Sequence, residues 1–372
     1  MGVFTTVLRT GQNVPAGATY LPSTGAYTLW GRLPCRGDAP VLTVESGTEV
    51  VVDTLSHEGI LPDQGSDPVA FFGAHGVSAD AVLDEGIALA SHPELRDALD
   101  DGPHVTTGPI AVSGAQPGDL LAITVVDLTP RVPYGVISNR HGRGALAGEY
   151  PATPGNVSVY APIAPDADGT WRGWLPARDG GPRTIGFPLA PFLGIMGVAT
   201  DTAERAHSVP PGPHGGNIDV KELVVGSTLY LPVQVPGALA YFGDPHFAQG
   251  DGEVSLTALE ASLRATLRFD VIPAREAARA FGEVAGPLGL THEYLIPTGM
   301  DADLDEAMRE CVRQAVAILC AKFAMEPHLA LAYLSAATDF RISQVVDLVQ
   351  GVHAMIRLSD FQATPATEVD GE

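Results

Sequence analysis

The pattern of hydrophobic and polar positions divides the chain into two parts. Between residues 16 and 275, short alternating or apolar runs such as 41–52, 120–128 and 229–235 are separated by glycine and proline. Such runs are typical of β-strands joined by tight turns. The Gln-Pro-Gly-Asp segment at 116–119 has proline and glycine at the second and third positions, which predicts a type II turn. This part of the chain therefore predicts a mainly β fold.

The hydrophobic pattern changes near residue 300. Asp303 and Glu306 have the spacing of a helix capping box. Apolar residues over 304–323 then recur at steps of three and four, which is typical of one face of an amphipathic helix. Two further apolar stretches follow, one beginning at Pro327 and one spanning 342–352, and we expect both to be helical.

These patterns define the predicted organisation of the chain. A β-rich body spans residues 1–285, an α-rich C-terminal segment packed on it spans 286–362, and a flexible tail spans 363–372. The apolar stripes of the helices are expected to serve packing. The functional site is therefore sought in the β body.

Composition and charge exclude several classes of partner. The 372 residues are 45% hydrophobic, enough to bury a large core. Lysine and arginine total 21 against 44 acidic residues, so the net charge is −23. This charge repels phosphate backbones and anionic lipid, and we expect neither nucleic acid nor membranes as partners. Only two of the basic residues are lysines, which disfavours a lysine nucleophile.

Cysteine usage and targeting signals bear on the compartment. The three cysteines are odd in number and lack CxxC spacing, which predicts free thiols. The N-terminal residues do not resemble an export signal, and no apolar run reaches the ~20 residues that span a bilayer. We therefore expect a soluble, cytoplasmic protein.

Two segments of the β body combine histidine with glycine, amide and acidic residues. They are 211–219, with His214, Gly215, Gly216, Asn217 and Asp219, and 243–253, with Asp244, His246 and Glu253. Paired glycines let a backbone approach a ligand. In an extended strand, Asn217 and Asp219 would share one face. An apolar strand and turn at 229–239 could return the second segment alongside the first.

If the two segments meet, they form a metal site from His214, Asp219, Asp244 and His246. Such mixed ligands suit zinc or a similar divalent ion and leave a coordination position for water. Zinc lowers the pKa of water to about 7 and so supplies hydroxide to attack an amide or ester carbonyl. Glu253 or Glu149 would act as the general base. Composition alone leaves open that these are turn residues and scaffold histidines.

The two segments and the run between them resemble the acetamidase/formamidase family of small-amide hydrolases. The resemblance spans roughly residues 40 to 270 and includes 104–110, 114–119 and 192–198. It implies a jelly-roll-like β-sandwich with added α/β elements, a metal-assisted amidase site and assembly into homo-oligomers.

The resemblance also implies further site residues. Asp53 lies where family members carry an acidic residue and is expected to be a metal ligand, while His57 is expected to contact substrate. Asn217 is also expected to contact substrate, and the oxyanion is expected to be stabilised by the ion or by backbone donors of Gly215 and Gly216. The sequence around His57 resembles that of a subgroup that acts on cyclic amides, so formamide, acetamide and γ-lactams are all candidate substrates.

Three other interpretations stay open. The same site could hydrolyse a lactone or an ester. The residue types of a serine-amidase triad occur at Asp53, Ser56, His57 and Ser138, although no G-x-S-x-G elbow is present. The sandwich could also be a non-catalytic binding module with Trp171 and Trp174 as its platform.

Overall fold

The computed structural model describes residues 7–361, and the predicted tail at 363–372 lies outside them. Strands make up most of the regular structure, as predicted. They are β1 (Thr19–Leu21), β2 (Thr28–Trp30), β3 (Leu42–Val44), β4 (Thr48–Asp53), β5 (Val105–Val112), β6 (Leu120–Pro130), β7 (Tyr134–Arg140), β8 (Asn156–Pro165), β9 (Trp171–Pro176), β10 (Arg183–Pro188), β11 (Phe192–Gly197), β12 (Gly215–Asn217), β13 (Thr228–Pro232), β14 (Ala240–Ala248), β15 (Leu259–Glu260), β16 (Leu263–Ile272), β17 (Leu288–Leu290), β18 (Tyr294–Asp301), β19 (Asp339–Gln344) and β20 (Gln350–Arg357).

The helices are short except for one. They are α1 (Pro68–Gly73), α2 (Asp84–Ala90), α3 (Ala274–Phe281), α4 (Leu304–Phe323) and α5 (Pro327–Ala337), with a few 3₁₀ turns between elements. Within 7–361, no single helix is long and apolar enough to cross a membrane. Helices α4 and α5 reach that length and hydrophobicity only when taken together, and the pair is bent by 115°.

The strands form two large sheets. The first has nine strands in the order β1-β4-β16-β6-β13-β17-β18-β20-β19. The second has eleven, in the order β10-β9-β8-β7-β15-β14-β11-β12, with β5 also on β14 and with β2 and β3 on β5. The predicted mainly β fold is confirmed.

The main hydrophobic core lies between the two sheets. It joins residues of both, and the rings of Phe242 on β14 and Phe269 on β16 are 5.7 Å apart. A second core forms where α3, α4 and α5 cover strands of the nine-stranded sheet, with Cys311 and Leu319 of α4 fully buried there. Burial at roughly 25 cal/mol per Å² of apolar surface makes these two layers the main source of stability.

Two local predictions are confirmed in atomic detail. In the turn before β6, Gly118 has a φ of 97° and the Asp119 N–H donates to the Gln116 carbonyl at 3.0 Å. A type II turn needs such a left-handed residue at its third position. At the start of α4, the Asp303 carboxylate accepts from the N–H of Asp305 and Glu306, so it caps the helix. The three cysteines are free, as expected.

The predicted third C-terminal helix is wrong. Residues 339–344 and 350–357 are the antiparallel strands β19 and β20, and Ile342 faces Val352 across the ladder. The apolar spacing came from two strands of a hairpin, and their β-branched residues pack well on a pleated sheet. The C-terminal segment is consequently mixed, because β17–β20 extend the nine-stranded sheet and α4 and α5 pack on it.

Candidate active site

Strand β14 holds the centre of a buried polar cluster. Asp244 and His246 are two residues apart on this strand, so their side chains share a face. One edge of β14 pairs with β11, and the other pairs first with β5 and then with β15. This places Glu260 of β15 directly opposite His246. Three acids of the cluster have left-handed backbone (Asp219, φ 50°; Asp244, 50°; Glu253, 44°), a strain typical of functional sites.

The first predicted segment reaches the cluster by a route other than the expected one. The strand predicted at 229–239 is β13, which belongs to the nine-stranded sheet. The two segments meet because β12 and β14 pair with opposite edges of β11. Asp219, two residues after β12, is thereby brought beside His246, with its Oδ1 3.9 Å from His246 Nδ1.

Gly194 of β11 leaves the space around which these side chains converge. A Cβ atom at this position would lie 2.5 Å from Asp219 Oδ1, 2.5 Å from Asp244 Oδ2 and 2.8 Å from His246 Cε1. Real Cβ contacts are essentially never this short. The side chains of the cluster therefore depend on a glycine at residue 194.

The ligand-type atoms of the cluster are close enough to share a cation. His246 Nε2 lies 3.0 Å from both Asp244 Oδ2 and Glu260 Oε1. Three overlapping groups each have such atoms within 4.8 Å of one another: Asp244 with His246 and Glu260, Asp219 with His246 and Glu253, and Asp244 with His57 and His104.

Two histidines flank Asp244. His57 Nδ1 and His104 Nε2 each lie 3.7 Å from Asp244 Oδ1. The other nitrogen of His104 contacts Ser208 Oγ at 3.0 Å, and that of His57 lies 3.4 Å from Glu58 Oε1. Burial lowers the pKa of His104 to about 3, so its ring is neutral at neutral pH. Each ring is therefore held from its far side and has its other nitrogen beside Asp244.

The acids of the cluster oppose one another's ionisation. Burial, then Asp347 and Asp244, raise the pKa of Asp219 well above its usual range. Burial and the Asp219 carboxyl do the same for Glu253. Burial also favours the neutral form of Asp244, but His246, His104 and His57 together outweigh it and lower the pKa of Asp244. Acids crowded in a low-dielectric interior ionise together only with a compensating cation.

The cluster fits a divalent cation. Within 7–361, several of its buried atoms have no hydrogen-bond partner: Asp219 Oδ1 and Oδ2, Asp244 Oδ1, His246 Nδ1 and Nε2, His57 Nδ1, and Glu260 Oε2. Carboxylate and imidazole donors suit zinc and similar ions. A fourth group, Glu222, Asp251 and His353, is already compensated, because Glu222 pairs with Arg341 and Asp251 with Lys221.

The structure brings together only part of the predicted site. Asp219, Asp244, His246, His57 and Glu253 belong to the groups above. Asn217 lines the adjoining cavity together with Asp244 and Glu253.

The remaining residues of the first segment are placed differently. Gly215 and Gly216 are absent from the cavity lining, and the Gly215 N–H donates to the Gly212 carbonyl. A Cβ at Gly215 would lie 2.4 Å from the Met196 carbonyl, so this glycine permits close pairing of β12 with β11. His214 is in none of the groups, and burial lowers its pKa to about 4. The predicted roles of His214 as a metal ligand and of both glycines as oxyanion donors are therefore corrected, because none of the three residues lines the cavity.

Asp53 is corrected from metal ligand to ion-pair partner. Its carboxylate accepts two hydrogen bonds from Arg264, at 2.6 and 3.0 Å, and lies 3.5 Å from Arg131 Nη2. Arg131 is fully buried, and Tyr20 also donates to Asp53. The acid is thus occupied by two arginines that are distant in sequence.

Asp53→Asn should destabilise the protein without changing its metal content. Removing one charge leaves Arg264 and Arg131 partly uncompensated inside the protein, which costs about 3–5 kcal/mol for a broken buried pair. Urea unfolding and metal analysis of the purified protein measure the two effects. Asp270→Asn, which breaks an exposed pair with Arg268, is the control and should cost under about 1 kcal/mol. Loss of metal from Asp53→Asn at unchanged stability would restore the ligand role.

Two other predicted features lie away from the cluster. Glu149 is exposed in the loop after β7 and does not line the cavity. The prediction that it acts as a general base is therefore wrong. Trp171 and Trp174 lie on β9, also outside the cavity lining.

A serine-amidase triad needs a contact between a serine hydroxyl and a histidine ring, and none is present among the described residues around His57. The Ser138 hydroxyl donates to Glu58 Oε2 at 2.5 Å, and Ser56 Oγ accepts from the Glu58 N–H. Among the described residues, His57 contacts Glu58 and Asp244 rather than a serine. A serine–histidine triad needs the histidine within hydrogen-bond reach of the serine, and this arrangement does not provide that contact.

Sequence reasoning missed several members of the cluster. They are Glu260, His104, Asp347 and Gly194. His104 and Gly194 lie inside stretches that carry the family resemblance, which was the available signal. Glu260 and Asp347 had none, because only strand pairing and the hairpin loop after β19 bring them to the site.

The chain is similar to known proteins in both sequence and fold. Residues 196–360 match the model of the acetamidase/formamidase family. The formamidase of Methylophilus methylotrophus is 28% identical over 314 residues, which cover 68% of this chain and 76% of that protein. The acetamidase of Mycolicibacterium smegmatis is 31% identical over 217 residues, covering 44% of this chain and about half (52%) of the relative's length.

A solved structure extends the similarity to nearly the whole fold. The crystal structure of an acetamidase from Bacillus halodurans superimposes with a TM-score of 0.70 at 27% identity, covering 92% of this chain and 98% of that one. The chain is thus similar to the acetamidase/formamidase family in sequence over residues 196–360 and to a member's fold over nearly its whole length.

Proposed function

We propose that this protein is an amidase that hydrolyses the carbon–nitrogen bond of small carboxamides with the help of a divalent metal ion. The observation that carries the proposal is the buried cluster of Asp219, Asp244 and His246, which has unpartnered ligand atoms and reaches an open cavity through Asp244. The names of the family and of its relatives supply the substrate class.

The metal would be held by Asp219, Asp244 and His246, with Glu260 close by. Zinc is the ion we propose, because the donors are carboxylate and imidazole. When bound, such an ion polarises the amide carbonyl and lowers the pKa of water. His57 and His104 are positioning residues in this scheme, because they hold Asp244 from the cavity side.

The protein's own groups would move the proton and orient the amide. Glu253 faces both the cavity and the cluster, so its carboxylate can take a proton from water as the water oxygen bonds to the carbonyl carbon. The same proton then passes from Glu253 to the leaving nitrogen as the C–N bond breaks, giving a carboxylic acid and ammonia. The acid then loses its proton, which ammonia or solvent takes up, to give a carboxylate. Asn217 Oδ1 is buried and unpartnered, so it can accept a hydrogen bond from the substrate NH₂.

Ammonia release from a panel of amides tests this proposal. The panel contains formamide, acetamide and butyramide, a γ-lactam followed by chromatography, a γ-lactone, and amides that carry a carboxylate. We expect amide turnover that is lost on treatment with a chelator, restored by added zinc and faster than lactone turnover. No turnover of any amide, or full turnover after verified metal removal, would contradict the proposal.

A cytoplasmic location and assembly into homo-oligomers stay predictions.

A further inference from the structure

The cavity beside the cluster has two ends of opposite character. Its volume is about 340 Å³. Its inner end is lined by buried acids, namely Asp244, Glu253, Glu260 and Asp347. Its outer end is lined by Arg96, Arg140, Arg143 and His207. Such a concentration of arginine is unexpected in a chain with 21 basic residues and a net charge of −23.

The acids at the outer end are already paired. Asp63 forms an ion pair with Arg140, and Asp101 forms one with Arg32. Both pairs are therefore close to neutral. Neither acid is left to neutralise a further arginine by direct contact.

Two guanidinium groups at the outer end have no acidic partner. Arg96 donates to the carbonyls of Gly102 and Asp101, at 2.6 and 3.0 Å, and lies 5.8 Å from the centre of the Trp30 ring. Arg143 is exposed and makes no side-chain hydrogen bond within the described part of the chain. No carboxylate of that part lies within 4.0 Å of either guanidinium. The outer end thus carries two guanidinium groups that lack a direct carboxylate partner. Burial lowers the pKa of Arg96, and nearby carboxylates, led by that of Asp101, are close enough to oppose this shift.

The volume of the cavity also favours a substrate that is larger than formamide or acetamide. A volume of 340 Å³ lies within the ~300–1,000 Å³ range of sites for small organic ligands. Formamide and acetamide, with three and four non-hydrogen atoms, would leave most of it to water. Neither of these neutral amides has a group for the two arginines.

We infer that the substrate is a small linear amide with a carboxylate at its other end. The inference rests on the proposed function: the amide lies at the acidic inner end and the carboxylate contacts Arg96 and Arg143. Water adds to the carbonyl carbon, the C–N bond breaks and nitrogen leaves as ammonia, so the product is a dicarboxylate. Guanidinium groups bind carboxylates through strong charge-assisted hydrogen bonds.

Matched pairs of amides test the inference in wild type, Arg143→Gln and Arg275→Gln. Succinamate is compared with butyramide, and glutaramate with valeramide. Arg275 is exposed on α3 and provides the control. We expect wild-type kcat/KM to favour the acids by about 10- to 100-fold, since hydrogen bonds to charged groups contribute ~1.5–3 kcal/mol. Arg143→Gln should remove about tenfold of this preference by lowering kcat/KM for the acids more than for the neutral amides, whereas Arg275→Gln should change neither. Added salt should weaken the preference.

The outcomes separate this inference from the proposed function. If neutral and acidic amides are hydrolysed equally well, or if Arg143→Gln affects both alike, the inference is overturned while the amidase proposal stands. If no amide releases ammonia, the amidase proposal fails, and calorimetric binding of succinamate against butyramide decides the inference. Equal binding of the two would overturn it; tighter binding of succinamate that Arg143→Gln weakens would support it.

Discussion

Gly194→Ala should remove metal and amidase activity together while the protein stays folded. The added methyl group would fall 2.5 Å from oxygens of both Asp219 and Asp244, so these side chains must move out of the ligand arrangement. We expect metal content near background and kcat/KM lower by about 10²-fold, the upper end of the range for disturbed ligand orientation. Overpacking a core typically costs about 1–3 kcal/mol, which a protein of ordinary stability survives.

Gly73→Ala is the matched control for this substitution. Gly73 ends α1, and no atom lies within 4 Å of the Cβ that the change would add. Metal analysis, ammonia release and circular dichroism are measured on both variants. A Gly194→Ala protein with full metal content and wild-type activity would show that the cluster is not the metal site.

Glu253→Gln should retain metal but lose about 10²- to 10⁴-fold in kcat, the usual contribution of general-base catalysis. Glutamine keeps the shape of the side chain but accepts no proton from water. Glu253 is buried, lines the cavity and lies in the group with Asp219 and His246, which places its carboxylate beside the reacting atoms of the proposed scheme. Single-turnover rates of metal-replete protein measure the effect on chemistry.

Glu149→Gln provides the comparison for the Glu253 result. Glu149 is exposed outside the cavity lining, so its variant should have the wild-type rate. If Glu253→Gln also loses its metal, Glu253 is a ligand rather than the base. If it keeps both metal and rate, the base lies elsewhere in the cavity.

Turns and helix starts were predicted well, because the residues that determine them lie within a few positions of each other in the sequence. Proline and glycine in the turn before β6, and Asp303 at the start of α4, act within a few residues of themselves. The third helix failed because Ile342 and Val352 face each other across a hairpin, a long-range relation that imitates helical spacing. Apolar periodicity over short segments cannot separate these two cases.

The site was predictable where its residues share a strand and not where distant strands supply them. Asp244 and His246 were identified together because they stand in one short segment that combines histidine with glycine and acidic residues. Glu260 was missed because its position opposite His246 depends on the register of β15. Asp53 was misassigned because its partner Arg264 is 211 residues away. An acid in sequence gives no indication of whether an arginine already occupies it.

An anomalous difference map collected at the zinc edge from crystals of the zinc-loaded enzyme tests the central claim most directly. The account predicts a peak beside Gly194, within about 2.0–2.2 Å of atoms of Asp219, Asp244 and His246. No peak there, or a peak only at the group of Glu222, Asp251 and His353, would contradict it.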